Sequence, residues 1–142
     1  MPIKRHFRRE RNLLILEHIG TVSDEEFLAF YKSLYGDDRF VVSMDQLVDL
    51  RRADSTPRSP EVLRQFAQFV MDQYPIAASP VNIAVVAPKD LSYGLARMYD
   101  AFSQRIPWIF EIFRDLDAAA DWLGLPRDFV ETLRMDDPPA TS

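Results

Sequence analysis

The sequence predicts one α/β domain, a mixed and mostly parallel five-stranded sheet with about four to five helices. Short β-branched apolar runs alternate with amphipathic stretches of helical period, and several of those stretches open on a capping residue. The first two strand-like runs have only a turn between them, which makes one strand antiparallel. At 142 residues, 47% of them apolar, the chain has the size and composition of one packed core.

Ile3 to Arg9 reads as a polar first strand near an edge, and Leu13 to Ile19 as a second strand inside the sheet, apolar on both faces. Arg9 to Asn12 turns between them, and Gly20-Thr21 is expected to break the second strand. Ser23 then supplies an N-cap that Glu26 completes as a capping box, with Val22 and Phe27 at hydrophobic-staple spacing. That helix runs to about Leu34, with Phe27, Phe30, Tyr31 and Leu34 on one stripe, and Tyr35-Gly36-Asp37-Asp38 ends it.

Gln46 to Leu50 reads as a third strand, and Arg51 to Arg58 as a loop too rich in Arg, Asp, Ser, Thr and Pro to be regular structure. Ser59 fits an N-cap and Pro60 the first helical position. Val62, Leu63, Phe66, Phe69, Val70 and Tyr74 follow at amphipathic spacing up to Pro75. Val81 to Ala87 has the composition of a central strand covered on both faces, and Pro88 stops it. A third helix carries Leu91, Leu95, Met98, Tyr99, Phe102 and Ile106, with Gly94 inside it costing about 1 kcal/mol relative to Ala. Trp108 to Phe113 is the last strand, Asp115 caps a helix from Leu116 to Leu123, Gly124 ends it, and a short fifth helix begins at Pro126. The domain takes residues 1–134, and the tail 135–142, with little to bury, is expected to be disordered.

Composition narrows the function. The absence of Cys excludes disulfide frameworks, thiolate nucleophiles and thiolate zinc sites. No apolar run approaches the roughly 20 residues that span a bilayer, and the start lacks a signal-type segment. A cytoplasmic protein without integral membrane association is expected. A net charge of −5 argues against nucleic acid as partner, and the cluster Lys4, Arg5, Arg8, Arg9 and Arg11 reads most simply as a charged edge-strand face. Of the two histidines, His6 and His18, the second shares a pleat face with Leu14 and Leu16, as a hydrogen-bonded strand histidine would. There is no phosphate loop, nucleophile elbow or His pair at metal spacing, so no catalytic residue, cofactor or metal is assigned. Asp45, Asp49 and Asp54 could bring carboxylates near one sheet edge, yet they match no calcium-loop pattern.

One loop stands out. Arg51, Arg52, Ser55, Thr56, Arg58 and Ser59 leave the carboxyl end of a strand and enter a helix N-terminus, where free N–H donors and positive charge suit a phosphate or carboxylate. Arg51, Arg52, Ser55, Thr56 and Ser59 are therefore a candidate ligand or partner contact. The plainer reading is that Ser59 only caps and the arginines are solvated. Tyr99, Trp108, Phe110, Phe113 and Trp122 read mainly as core. If the last strand is an edge covered on one face, its second face favours a homodimer or an apolar pocket.

Several phrases follow in one order: Gly20-Thr21-Val22-Ser23-Asp24-Glu25-Glu26-Phe27, Val48-Asp49-Leu50, Val81 to Ala87, Tyr93-Gly94-Leu95-Ala96-Arg97-Met98-Tyr99, and Phe113-Arg114-Asp115-Leu116-Asp117-Ala118-Ala119-Ala120-Asp121-Trp122-Leu123. Together they resemble the SpoIIAA-like family, relatives of STAS domains and more distantly of CRAL-TRIO lipid-binding domains, over about Leu13 to Leu123. The resemblance implies a STAS-like fold and a non-enzymatic regulatory or protein-interaction module whose protein partner is unknown. The alternative it implies is a carrier of a small apolar ligand or lipid, with a pocket between helix and sheet; an enzyme ranks last. STAS-type antagonists carry a phosphorylatable Ser or Thr where the helix after the third strand begins, which implies Ser55, Thr56 and Ser59 here. Asp54-Ser55 is similar to the family's Asp-Ser-Ser-Gly-like turn, although no Gly follows.

Overall fold

Strand β1 (Ile3–Arg8) is followed by a short 3-10 turn at Arg9–Arg11 and by β2 (Leu13–Thr21). The rest alternates: α1 (Asp24–Tyr35), β3 (Asp45–Asp54), α2 (Pro60–Gln73), β4 (Val81–Val86), α3 (Asp90–Phe102), β5 (Trp108–Phe113), then α4 (Leu116–Leu123) and α5 (Arg127–Arg134). This computed structural model describes residues 3–74 and 80–134, so the expected stop at Pro75 and the tail 135–142 lie outside the described residues.

The five strands lie in chain order across one sheet, with β1 antiparallel to β2 and every other pairing parallel. The hairpin turns on Asn12, the one described non-Gly residue with positive φ, at 49°. It places polar β1 at the edge and β2, buried from Leu13 to His18, inside. Side chains alternate across the sheet. Leu14 and Leu16 face α1, α2 and α3, while Leu13, Ile15, Leu47, Ala84 and Val86 face α4 and α5. Central β4 is buried on both sides, as its composition requires.

Helix starts follow the sequence closely. Ser23 Oγ accepts from Glu26 N at 3.1 Å while Glu26 Oε1 accepts from Ser23 N at 3.1 Å, a complete capping box. Ser59 Oγ accepts from Val62 N, with Pro60 at the first helical position, and Asp115 Oδ1 accepts from Ala118 N. Phe27, Phe30, Tyr31 and Leu34 are the buried residues of α1, matching the predicted stripe.

Three expectations need correction. Gly20-Thr21 does not break β2: Gly20 stays within the strand at φ +69°, pairing with Ala53. The polar run from Arg51 is not all loop, since β3 continues through it to Asp54, where its backbone pairs with β2 and its arginines find carboxylates. Polarity at Arg51 and Arg52 reflects half-buried ion pairs rather than free solvation. Ile106 lies beyond α3, which ends at Phe102; its N–H donates to Ser103 O in a turn that still buries the side chain.

Candidate functional site

Between the sheet and helices α1, α2 and α3 lies a cavity of about 100 Å³. Its floor is one alternate set of strand side chains: His18 of β2, Gln46, Val48 and Leu50 of β3, Ile83 and Val85 of β4, and Phe110 of β5. Its roof is mostly rings, Phe27 and Tyr31 of α1, Phe66 of α2 and Tyr99 of α3. Phe66 stacks on Tyr99 with centroids 4.8 Å apart and meets Phe27 edge-on at 5.1 Å. Such rings hold one another in place. Ala53 and Ala96 present only methyl groups to the space that remains.

Several polar side chains stand in or against this interior. His18 Nε2 lies 2.9 Å from Tyr31 Oη, and both residues are buried. The His18 pKa is lowered to about 3, chiefly by burial and also by the positive Arg58, with Asp49 opposing. Burial also raises Tyr31 above the ordinary phenol range, against Arg58. The pair is thus a neutral hydrogen bond at pH 7, and an imidazole so poor at holding a proton is a weak base there. Gln46 is 5% exposed, and its carboxamide makes no hydrogen bond among the described residues although the side chain borders the cavity. The Tyr99 hydroxyl is buried and also unpartnered among the described residues.

The rim at the far end of β3 carries Asp54, Ser55 and Arg58. Ser55 Oγ and Ser92 Oγ are 2.7 Å apart, joining the β3–α2 connection to α3. Arg58 donates to Asp24 Oδ1 at 2.8 Å and to Val22 O at 3.0 Å, with its guanidinium 4.2 Å from the Phe27 ring centroid. Ser59 Oγ donates to Asp24 Oδ2 at 2.7 Å while it caps α2. Burial favours the neutral form of Asp24, but the bonds from Ser59 and Arg58 outweigh it and hold the carboxyl below its ordinary pKa. Thr56 is the exposed hydroxyl of the group, and its N and Oγ1 both donate to Asp54 Oδ1.

Arg51 and Arg52 sit elsewhere. The register with β2 moves two residues from Glu17 to Ile19 while β3 moves three, from Asp49 to Arg52, so a bulge adds one residue to β3. Arg51 grips Asp49 through Nε at 3.0 Å and Nη2 at 2.9 Å, and Arg52 Nη1 lies 3.3 Å from Glu17 Oε2. Glu17 and Asp49 are in phase with Ile15 and Leu47, which pack on the α4–α5 layer, so both ion pairs belong to the face opposite the cavity. The arginines are therefore not simply solvated. The fold brings Ser55, Arg58 and Ser59 to one rim and leaves Arg51 and Arg52 behind the sheet.

The carboxylates Asp45, Asp49 and Asp54 are not gathered. They are spread from end to end of β3, an interior strand, and serve Asn82 N, Arg51, and Thr21 with Thr56. No group of three or more His, Cys, Asp or Glu among the described residues is placed to hold a metal. Tyr99, Trp108 and Phe110 line the cavity, whereas Phe113 packs with Trp122 on the other face, centroids 5.7 Å apart. Gln46 went unnoticed in the sequence. Its one signal is a carboxamide in phase with Val48 and Leu50 on an otherwise apolar strand face.

No family model matches the chain, and no curated protein matches it. Among solved structures it is similar to an uncharacterized protein of the DUF3478 family with a SpoIIAA-like fold, from Shewanella loihica PV-4. The identity is 17%, the TM-score 0.54, and the match covers 85% of this chain and 91% of that one. No helix among the described residues is long and apolar enough to cross a membrane. The five-stranded mixed sheet and five helices of the described residues, similar to that neighbour over most of both chains, give this protein a SpoIIAA-like fold.

Proposed function

We propose that this chain is a non-enzymatic binding module that takes a small, largely apolar molecule into the cavity between its sheet and helices α1 to α3. The cavity of about 100 Å³ carries this reading. Its size is near that of an engineered apolar cavity of roughly 150 Å³ that accepts benzene, so a ring-sized ligand fits better than a diacyl lipid. A mostly apolar concave site with a few convergent polar groups is the usual form of a small-molecule pocket. The neutral His18–Tyr31 pair supports binding over acid–base chemistry.

Native mass spectrometry of protein purified without denaturation should show a retained small molecule. Ala96→Leu, which adds volume where α3 borders the cavity, should abolish retention while the melting temperature stays level or rises. Absence of any retained mass, together with no amide shifts on titrating simple ring compounds to millimolar concentration, would overturn the reading.

A second reading, contact with a protein partner through the rim residues Ser55, Thr56 and Ser59 without Arg51 and Arg52, which lie behind the sheet, is favoured by the exposure of Thr56 beside the rim. Ser55, Thr56 and Ser59 are its phosphorylation candidates. All three hydroxyls are hydrogen-bonded, Ser59 to Asp24 and Val62, Ser55 to Ser92 and Thr56 to Asp54, but Thr56 alone of the three is exposed, which makes it the most accessible acceptor. Unmodified peptides throughout, mapped in extracts of the native cell, would remove the switch. Self-association through edge strand β5, where Ile109 is 50% exposed, belongs to the same reading. Sedimentation showing only monomer at micromolar concentration would remove that part.

A further inference from the structure

The polar groups of the cavity are unequal, and the inequality carries information about the ligand. His18 and Tyr31 satisfy one another at 2.9 Å. Ser55 and Ser92 do the same at 2.7 Å. Arg58 is occupied by Asp24 and Val22. Two groups are not occupied: the buried Tyr99 hydroxyl, and Gln46, a residue only 5% exposed that projects from β3 in phase with the cavity-lining Val48 and Leu50 and whose carboxamide makes no hydrogen bond among the described residues. Strand neighbours Leu14 and Ile83 flank it in the register and offer no side-chain hydrogen bond.

A carboxamide differs from a hydroxyl or an imidazole in presenting a donor and an acceptor side by side in one plane. The walls of the same cavity include flat rings, chiefly Phe66, Tyr99 and Phe110, which suit a planar guest. Net charge is disfavoured in such a site. The two charged groups at the rim, Asp54 and Arg58, oppose each other, and each already has partners. Resting on the binding reading above, we infer that Gln46 is the recognition residue of the cavity, pairing edge-to-edge with a planar, uncharged ring compound that carries an adjacent hydrogen-bond donor and acceptor, such as an aromatic amide or lactam.

The test uses four probes of nearly one shape: benzamide, with donor and acceptor; acetophenone, with the acceptor alone; isopropylbenzene, with neither; and benzoate, charged. Binding to the full chain is followed by NMR titration. Benzamide should bind at least tenfold more tightly than benzoate and should shift the Gln46 Nε2 side-chain resonances, which isopropylbenzene should leave in place. In Gln46→Leu the affinity for benzamide should fall at least tenfold relative to isopropylbenzene, with acetophenone between them. Gln46→Met, which keeps volume and flexibility, repeats the comparison should Gln46→Leu fold poorly, and the wild-type resonance shift needs no variant at all.

An unchanged benzamide-to-isopropylbenzene ratio in both variants, or a Gln46 resonance indifferent to benzamide, would overturn the inference and leave the ring walls as the sole basis of binding. Failure of all four probes at millimolar concentration would overturn the binding reading itself. The two failures are thus distinguishable.

Discussion

His18 shows how one buried side chain ties stability to pH. Folded, its imidazole takes up a proton only near pH 3, whereas the unfolded chain does so near the ordinary 6.5. Across that window the unfolded state binds more protons, so stability is full above pH 6.5 and falls as the pH drops toward 3. The slope reaches about 1.4 kcal/mol per pH unit. The depressed carboxylates Asp24, Glu26, Asp37 and Asp54 add losses of the same sign, but only once the pH nears their ordinary values of 3.8 and 4.5. Urea midpoints measured between about pH 6.5 and 4.5 should therefore fall with pH in the wild type and flatten in His18→Phe, even though that variant starts less stable for want of the Tyr31 bond. A slope that survives the substitution would assign the effect to another group.

At the level of elements, one carboxylate joins two helices. Asp24 opens α1, and its two oxygens receive Ser59 Oγ, Ser59 N and Arg58 Nη1 from the start of α2. Asp24→Ala should cost about 2 kcal/mol, because it strands the largely buried Arg58 as well as removing hydrogen bonds to a charged group. In a double-mutant cycle with Ser59→Ala, read by chemical denaturation, the two effects should fall short of adding. The caps on which this clasp is built, Ser23 with Glu26 and Ser59 with Pro60, were legible in the sequence, as was Asp115 at the start of α4, because such local signals need no knowledge of the rest of the chain. The second half of β3 was not legible. Arg51 and Arg52 look like loop residues until Asp49 and Glu17 are brought beside them, and only the pairing of β2 with β3 does that. Gly20 misled for a related reason, since a residue able to end a strand is here retained in one by its neighbour in the sheet.

Across the whole molecule the two faces of the sheet are filled differently. Val86 is fully buried against the α4–α5 layer, while Val85, one residue earlier, borders the cavity. Val86→Ala should open new space in tight packing and cost about 2 kcal/mol; Val85→Ala only enlarges space already present and should cost about half as much. Equal losses by calorimetry would mean that the two layers are equally dense. This asymmetry was beyond the sequence, because His18, Gln46, Phe66 and Tyr99 come from four separate elements and each, taken alone, reads as ordinary core. The apolar phase of each element was readable, but not how completely the rings of three helices would fill the area over the sheet.

The strict succession of strands from edge to edge has its own bearing on what this protein can hold. Open α/β sheets that grip dinucleotides do so where the strand order reverses and neighbouring connections part to opposite sides, leaving a cleft at the strand tips. Here β2 to β5 advance without reversal, and α1, α2 and α3 all lie on one side. No such parting exists between them. Screening this chain against mononucleotides and dinucleotides should yield no saturable binding, while compact ring compounds, which need no cleft, should populate the interior.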